Sequence, residues 1–145
     1  LSIVGKSGSG KTTLIEEVVP KLIERGLKVG VIKHAKKGFE IDREGKDSHR
    51  IFQSGADVAI ISKDKLAVVK RVNTDSIEEC IRYFYGYDLI LTEGFSEEKY
   101  PKIVVTSGSV DREYNNVVAV VDSKNLDIDG VVELILTMIK KYNSL

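Results

Sequence analysis

The chain has 145 residues, 42% of them hydrophobic, the size and apolar content of a single domain with one filled core, and no second domain is expected. Lys plus Arg balances Asp plus Glu at 22 each, which leaves no overall basic field to hold nucleic acid, and a lone cysteine, Cys80, excludes an internal disulfide framework or a metal site built from cysteines. No charged leader opens the chain and no run approaches the roughly 18 apolar residues of a membrane helix, so the protein reads as soluble and cytoplasmic; because it starts inside an apolar run without Met, one or a few residues are expected to precede Leu1.

The apolar run Leu1 to Val4 reads as a first strand. It leads into Gly5, Lys6, Ser7, Gly8, Ser9, Gly10, Lys11, Thr12 and Thr13, which satisfy G-x-x-x-x-G-K-[ST] at every fixed position. Glycines at positions 5, 8 and 10 allow consecutive backbone N–H groups to turn inward around an anion. Lys11 stands where its ammonium reaches outer phosphates, the unpaired N–H groups of the next helix add donors, and the Thr12 hydroxyl suits Mg²⁺. The pattern therefore points to a nucleoside triphosphate. Lys6, directly after the first glycine, either reaches across a dimer to a partner's nucleotide or occupies a free position facing water.

A helix follows from Thr12 to Arg25, with Leu14, Ile15, Val18, Val19, Leu22 and Ile23 as its apolar stripe, Pro20 bending it and Gly26 ending it. Leu27 to Lys33 is the second strand, so strand, helix and strand form a parallel unit. The polar segment from His34 to Lys46 is the longest candidate functional loop, and a short helix begins near Asp47 and runs to Gly55. Val58 to Ser62 and Leu66 to Arg71 flank Lys63-Asp64-Lys65 as an inserted hairpin. Then come a helix from Ser76 to Tyr85, strands at Asp88 to Thr92, Lys102 to Thr106 and Val117 to Val121, and a last helix from Ile128 to Tyr142 with Val132, Ile135, Met138, Ile139 and Tyr142 facing inward. The alternation implies an α/β fold of the P-loop NTPase type, a doubly wound, mostly parallel sheet carrying an inserted β-hairpin, with ligands at the carboxyl ends of the strands.

Asp88 and Glu93 lie roughly 16 Å apart along an extended strand, so only one can approach the phosphates. A strand parallel to the first brings Glu93 to that edge, where it would hold Mg²⁺ or position a water, while Asp88 caps the opposite end. Asp42, in mid-loop with no evident structural duty, is a second metal or water candidate. Asp47 stands just before a helix, where capping and chemistry are equal readings. His34 either orients a phosphate or is simply hydrogen-bonded at a strand end. Asp122, after the Val117 to Val121 strand, either accepts from a guanine edge or closes a turn.

Taken together, Gly5 to Thr13, Lys33-His34, Gly45-Lys46-Asp47-Ser48 through Ser54-Gly55-Ala56, and Leu91-Thr92-Glu93-Gly94-Phe95 resemble the molybdopterin-guanine dinucleotide biosynthesis protein B family, MobB, over nearly the whole chain. The resemblance implies a dimeric GTP-binding adaptor with at most slow hydrolysis, assisting the guanylyltransferase that joins GMP to molybdopterin and handling molybdopterin or its dinucleotide. It places Gly8, Gly10, Lys11 and Thr12 on phosphates and Mg²⁺, with Asp42, Asp47 and Glu93 at the catalytic edge. Further histidines that members often carry after the Lys-His step are replaced here by Ala35-Lys36-Lys37, and no Asn-Lys-x-Asp motif for guanine appears. The alternative is a small-molecule kinase using ATP or GTP, for which Arg112, between Ser107 and Asn116, is the candidate lid arginine.

Overall fold

In a computed structural model of the protein, which describes residues 1–144, the elements run β1 (Ser2–Val4), α1 (Lys11–Glu24), β2 (Val29–Lys33), α2 (Asp47–Gln53), β3 (Val58–Ile61), β4 (Leu66–Val69), α3 (Ile77–Ile81), a 3-10 turn (Arg82–Phe84), β5 (Leu89–Glu93), β6 (Lys102–Thr106), β7 (Val117–Asp122) and α4 (Ile128–Asn143). The chain divides into two compact units: Leu1–His34 with the chain from Ser76 on, and Ala35–Asp75.

The first unit is built on a five-stranded sheet of order β2-β5-β1-β6-β7. Every pairing in it is parallel. Side chains alternate across the strands, and the two faces bury separate clusters. On one face Ile3, Ile103 and Val105 pack against Leu14, Ile15, Val18 and Leu22 of α1 and Val131, Val132 and Ile135 of α4. On the other, Ile32 and Phe95 pack against Ile77 of α3, with Ile90 and Phe84 beside them. Helices thus cover both faces, as a doubly wound plan requires.

Two expected inward residues face water instead. Ile23 of α1 is 54% exposed and Tyr142 of α4 is 61% exposed. The expected helix from Ser76 to Tyr85 is shorter, tightening into the 3-10 turn before Gly86, whose φ of 78° stops it. Asp127 caps α4, its carboxylate accepting the Gly130 N–H at 2.9 Å.

Polar side chains are buried within the sheet, among them Thr92 and Lys102. Thr92, which breaks the apolar approach to Glu93, is 4% exposed and donates its hydroxyl to Ser2 Oγ at 2.9 Å, pairing β5 with β1. Lys102 has no exposed surface; its ammonium donates to the carbonyls of Glu98 and Tyr100 and to Asn115 Oδ1, and burial pushes its pKa below the ordinary lysine range. Asp88 Oδ2 accepts the Lys28 N–H at 2.7 Å, closing the amino-terminal end of β5 against β2.

The second unit holds α2 and the antiparallel β3–β4 hairpin, registered Val58↔Val69 through Ile61↔Leu66. Its turn is closed by the Ser62 hydroxyl on Asp64 Oδ1 at 2.7 Å and the Ser62 N–H on the Lys65 carbonyl at 2.9 Å. Arg71 ties the hairpin to α2, lying 3.9 Å over the Phe52 ring and donating to the Ala56 carbonyl at 3.1 Å. Among the described residues, no helix is long and apolar enough to cross a membrane.

Candidate functional site

The loop between β1 and α1 is shaped by its glycines. Gly5 (φ 141°) and Gly10 (φ 98°) adopt backbone conformations that side chains resist, and space reinforces the choice. A Cβ on Gly5 would stand 2.2 Å from the Val105 carbonyl oxygen, and one on Gly10 would stand 2.8 Å from Ser123 Cβ. The loop is therefore pressed against the carboxyl ends of β6 and β7.

Inside the loop, Lys11 Nζ donates to the carbonyls of Gly5 at 3.0 Å and Lys6 at 2.8 Å, holding the ammonium over the turn. Ser9 is 3% exposed, and its hydroxyl makes no hydrogen bond. A buried hydroxyl without a partner costs free energy unless a ligand supplies one. Ser9 N–H closes the turn on the Lys6 carbonyl at 3.1 Å, whereas Lys6, Ser7 and Gly8 themselves are exposed. Thr12 and Thr13 open α1, with no acidic side chain in its first turn to compete for its N–H groups.

Glu93 ends β5 beside this loop. β1 and β5 register Ile3 with Glu93, so the carboxylate emerges on the face that carries α1, and Thr12 donates its hydroxyl to Glu93 Oε2 at 3.2 Å. The Glu93 side chain keeps 14% of its exposure and meets Lys33 Nζ at 3.3 Å from Oε1 and 3.5 Å from Oε2. Lys33 is the residue that registers with Glu93 across the β2–β5 pair, and sequence reasoning missed it as a site residue. The pairing depends on sheet order, although a lysine at a strand's carboxyl end was a usable signal.

The remaining candidates divide. His34 follows Lys33, its backbone N–H donating to the Glu93 carbonyl at 2.9 Å, and its ring stacks on Phe95 with centroids 4.4 Å apart and planes 11° from parallel. Phe95 is 7% exposed and holds a left-handed φ of 55°, so the stack fixes the turn immediately after Glu93. Asp122 accepts the Lys124 N–H at 3.0 Å, and the adjoining Ser123 N–H bonds the Thr106 carbonyl at 2.7 Å; the acid closes a turn whose next residue touches Gly10.

Asp42 and Asp47 belong to the second unit. The expectation that Asp42 has no local structural duty is corrected: its Oδ1 accepts the Arg43 N–H at 2.8 Å, and its Oδ2 accepts the Ser48 hydroxyl. The cap position of α2 is Lys46, and Asp47 is the first helical residue, where its charge complements the helix dipole without a capping bond. The Asp42 bond to Ser48 runs from the loop to the first turn of α2, six residues on, and left no trace in the local pattern.

A family model described as "Molybdopterin guanine dinucleotide synthesis protein B" matches residues 1–123. The chain belongs to the MobB family. The molybdopterin-guanine dinucleotide biosynthesis adapter protein of Haemophilus influenzae is 40% identical over 110 residues, covering 72% of this chain and 61% of that protein. The adapter protein of Escherichia coli strain K12 is 33% identical over 111 residues, covering 72% and 63%. The chain thus spans about three-fifths of the length of these MobB relatives. A crystal structure of molybdopterin-guanine biosynthesis protein B superposes with a TM-score of 0.73 at 38% identity, covering 96% of this chain and 97% of that one.

Proposed function

We propose that the protein is a GTP-binding adaptor in the formation of molybdopterin guanine dinucleotide, with at most slow hydrolysis. The observation that carries this reading is the loop itself, where the Lys11 ammonium and the buried, unpartnered Ser9 hydroxyl converge under left-handed glycines at the mouth of β1. Those are the groups a phosphate chain satisfies. The Thr12 hydroxyl and the Glu93 carboxylate, already in contact, offer the two protein ligands that Mg²⁺ takes when phosphates and waters supply the rest. When bound, Mg²⁺ offsets phosphate charge and polarises the terminal phosphoryl group.

The chain's own residues bind and orient. Backbone N–H groups of the loop and of the first turn of α1 hold the phosphates, Lys11 turns from the carbonyls of Gly5 and Lys6 toward them, and the His34–Phe95 stack keeps the Glu93 turn in place. Ser123 stands behind Gly10, and the adjoining Asp122 carboxylate is the group available to a guanine edge. The names of the MobB relatives give the pathway, molybdopterin-guanine dinucleotide biosynthesis, and the word adapter; the partner proposed here is a molybdopterin guanylyltransferase.

The kinase alternative gains nothing from the structure. Its lid arginine, Arg112, is held by Glu97 at 2.8 Å and by the Ser96 hydroxyl, and lies 4.9 Å from the Tyr114 ring centroid. Incubation with GTP or ATP, with and without molybdopterin and the transferase, separates the readings. The adaptor accelerates dinucleotide formation and prefers GTP; a phosphorylated small molecule, or no effect on the transferase, overturns it.

A further inference from the structure

Resting on the nucleotide reading above, the geometry points to Lys33 as a guard on the metal-binding carboxylate, releasing Glu93 only when its ammonium moves onto the terminal phosphate of a triphosphate. Metal and triphosphate would then enter together, and a diphosphate, which cannot draw Lys33 away, would leave Glu93 engaged.

Lys33 and Glu93 are paired residues at the carboxyl ends of neighbouring parallel strands, so their side chains leave the same face side by side. That face is the one where Ile3, in register with Glu93, packs under α1 and where Thr12 opens the helix. A carboxylate with only 14% of its exposure left requires a counter-ion, and Lys33 contacts both of its oxygens. The Thr12 hydroxyl takes a further lone pair on Oε2. Both oxygens facing the loop are therefore engaged, and a cation arriving alone must compete with an ammonium already in place.

Lys33 itself is loosely held. Its side chain is 63% exposed, and β2 is the edge of the sheet, so the stem has room to turn. Lys11, the ammonium folded into the phosphate loop, is satisfied by loop carbonyls. A triphosphate with one metal ion and one lysine still carries uncancelled negative charge, and Lys33 is placed beside the metal ligand that the terminal phosphate would approach. The exchange conserves contacts: the ammonium trades one oxyanion for another, while Glu93 trades an ammonium for a divalent ion. A lysine is suited to it as a mobile point charge, where an arginine fork would stay bidentate on the carboxylate.

The test uses Lys33→Met, which removes the charge at an exposed position, with Lys33→Arg as the charge-conserving control. Affinity for Mn²⁺ alone is read by electron paramagnetic resonance on nucleotide-free protein, and affinities for GTP and GDP with Mg²⁺ are read by calorimetry. Relative to the native protein, Lys33→Met is expected to bind bare Mn²⁺ about tenfold more tightly and to lose roughly ten- to a hundredfold of the preference for GTP over GDP. Lys33→Arg should restore the weak Mn²⁺ binding. If either the Mn²⁺ affinity or the GTP-to-GDP ratio of Lys33→Met equals that of the native chain, the guard is wrong while the nucleotide site stands. A native protein that binds neither nucleotide would remove both.

Discussion

Replacing Gly10 with alanine puts two separable strains on the phosphate loop. Gly10 holds φ 98°, ψ 14°, and an L-residue in left-handed backbone costs about 1–2 kcal/mol. The added Cβ would also stand 2.8 Å from Ser123 Cβ, a distance that forces one backbone segment to shift. Overpacking of that kind costs about 1–3 kcal/mol. Together they predict a loss of about 2–5 kcal/mol of folding stability for Gly10→Ala, a large share of the total for a domain of this size. Ser123→Gly alone should cost only about 0.5–1 kcal/mol through added chain freedom. In the double variant the methyl has nothing to strike, so the overpacking part should return while the dihedral part remains, giving a coupling of about 1–3 kcal/mol in a double-mutant cycle. Urea unfolding of the four proteins, compared at constant slope, measures this directly. A coupling near zero would refute the reasoning, because it would mean that the turn after β7 does not press on the phosphate loop.

Other outcomes follow from the buried polar pairs. Thr92→Val leaves the Ser2 hydroxyl without its donor in a dry part of the sheet and should cost about 1–3 kcal/mol, whereas Thr92→Val with Ser2→Ala should recover most of it; thermal unfolding of both proteins decides. Lys102→Met deprives the Glu98, Tyr100 and Asn115 oxygens of their donor and should lower stability by about 2 kcal/mol near neutral pH, read as a lower unfolding midpoint. Because burial lowers the Lys102 pKa in the folded state, the unfolded chain binds more protons between that value and the ordinary 10.5, so the native protein gains stability as pH rises through that window. The gap between native and Lys102→Met should therefore widen toward alkaline pH; a constant gap would show that the ammonium is not desolvated.

What was legible in the sequence was local or followed from strand direction. Gly5, Gly8 and Gly10 announce a loop because backbone there takes positive φ, and all three do. That Glu93 rather than Asp88 lies at the edge of the phosphate loop needed only that β5 run parallel to β1, and the register and the Thr12 contact place it there. The inserted hairpin was visible in its turn residues, and the structure pairs it antiparallel. Sheet order was not visible, because it is set by how helices pack over the whole sheet. With it went Lys33, which becomes a neighbour of Glu93 only when β2 lies beside β5.

The role of Thr92 was not legible, since its partner Ser2 is 90 residues away. Asp42 read as idle because a side-chain bond from an irregular loop to Ser48 of α2 has no periodicity to betray it. Ile23 and Tyr142 fit the helical stripe but stay more than half exposed, a property of where α1 and α4 sit against the sheet rather than of either helix.

A crystal structure of the protein with Mn²⁺ and a non-hydrolysable GTP analogue tests the central claim most directly. The account predicts phosphates lying over the backbone from Ser7 to Thr12, Ser9 and Lys11 bonded to them, and anomalous density for Mn²⁺ between Thr12 and Glu93. Lys11 still folded onto the carbonyls of Gly5 and Lys6, with the analogue bound elsewhere or not at all, would contradict it.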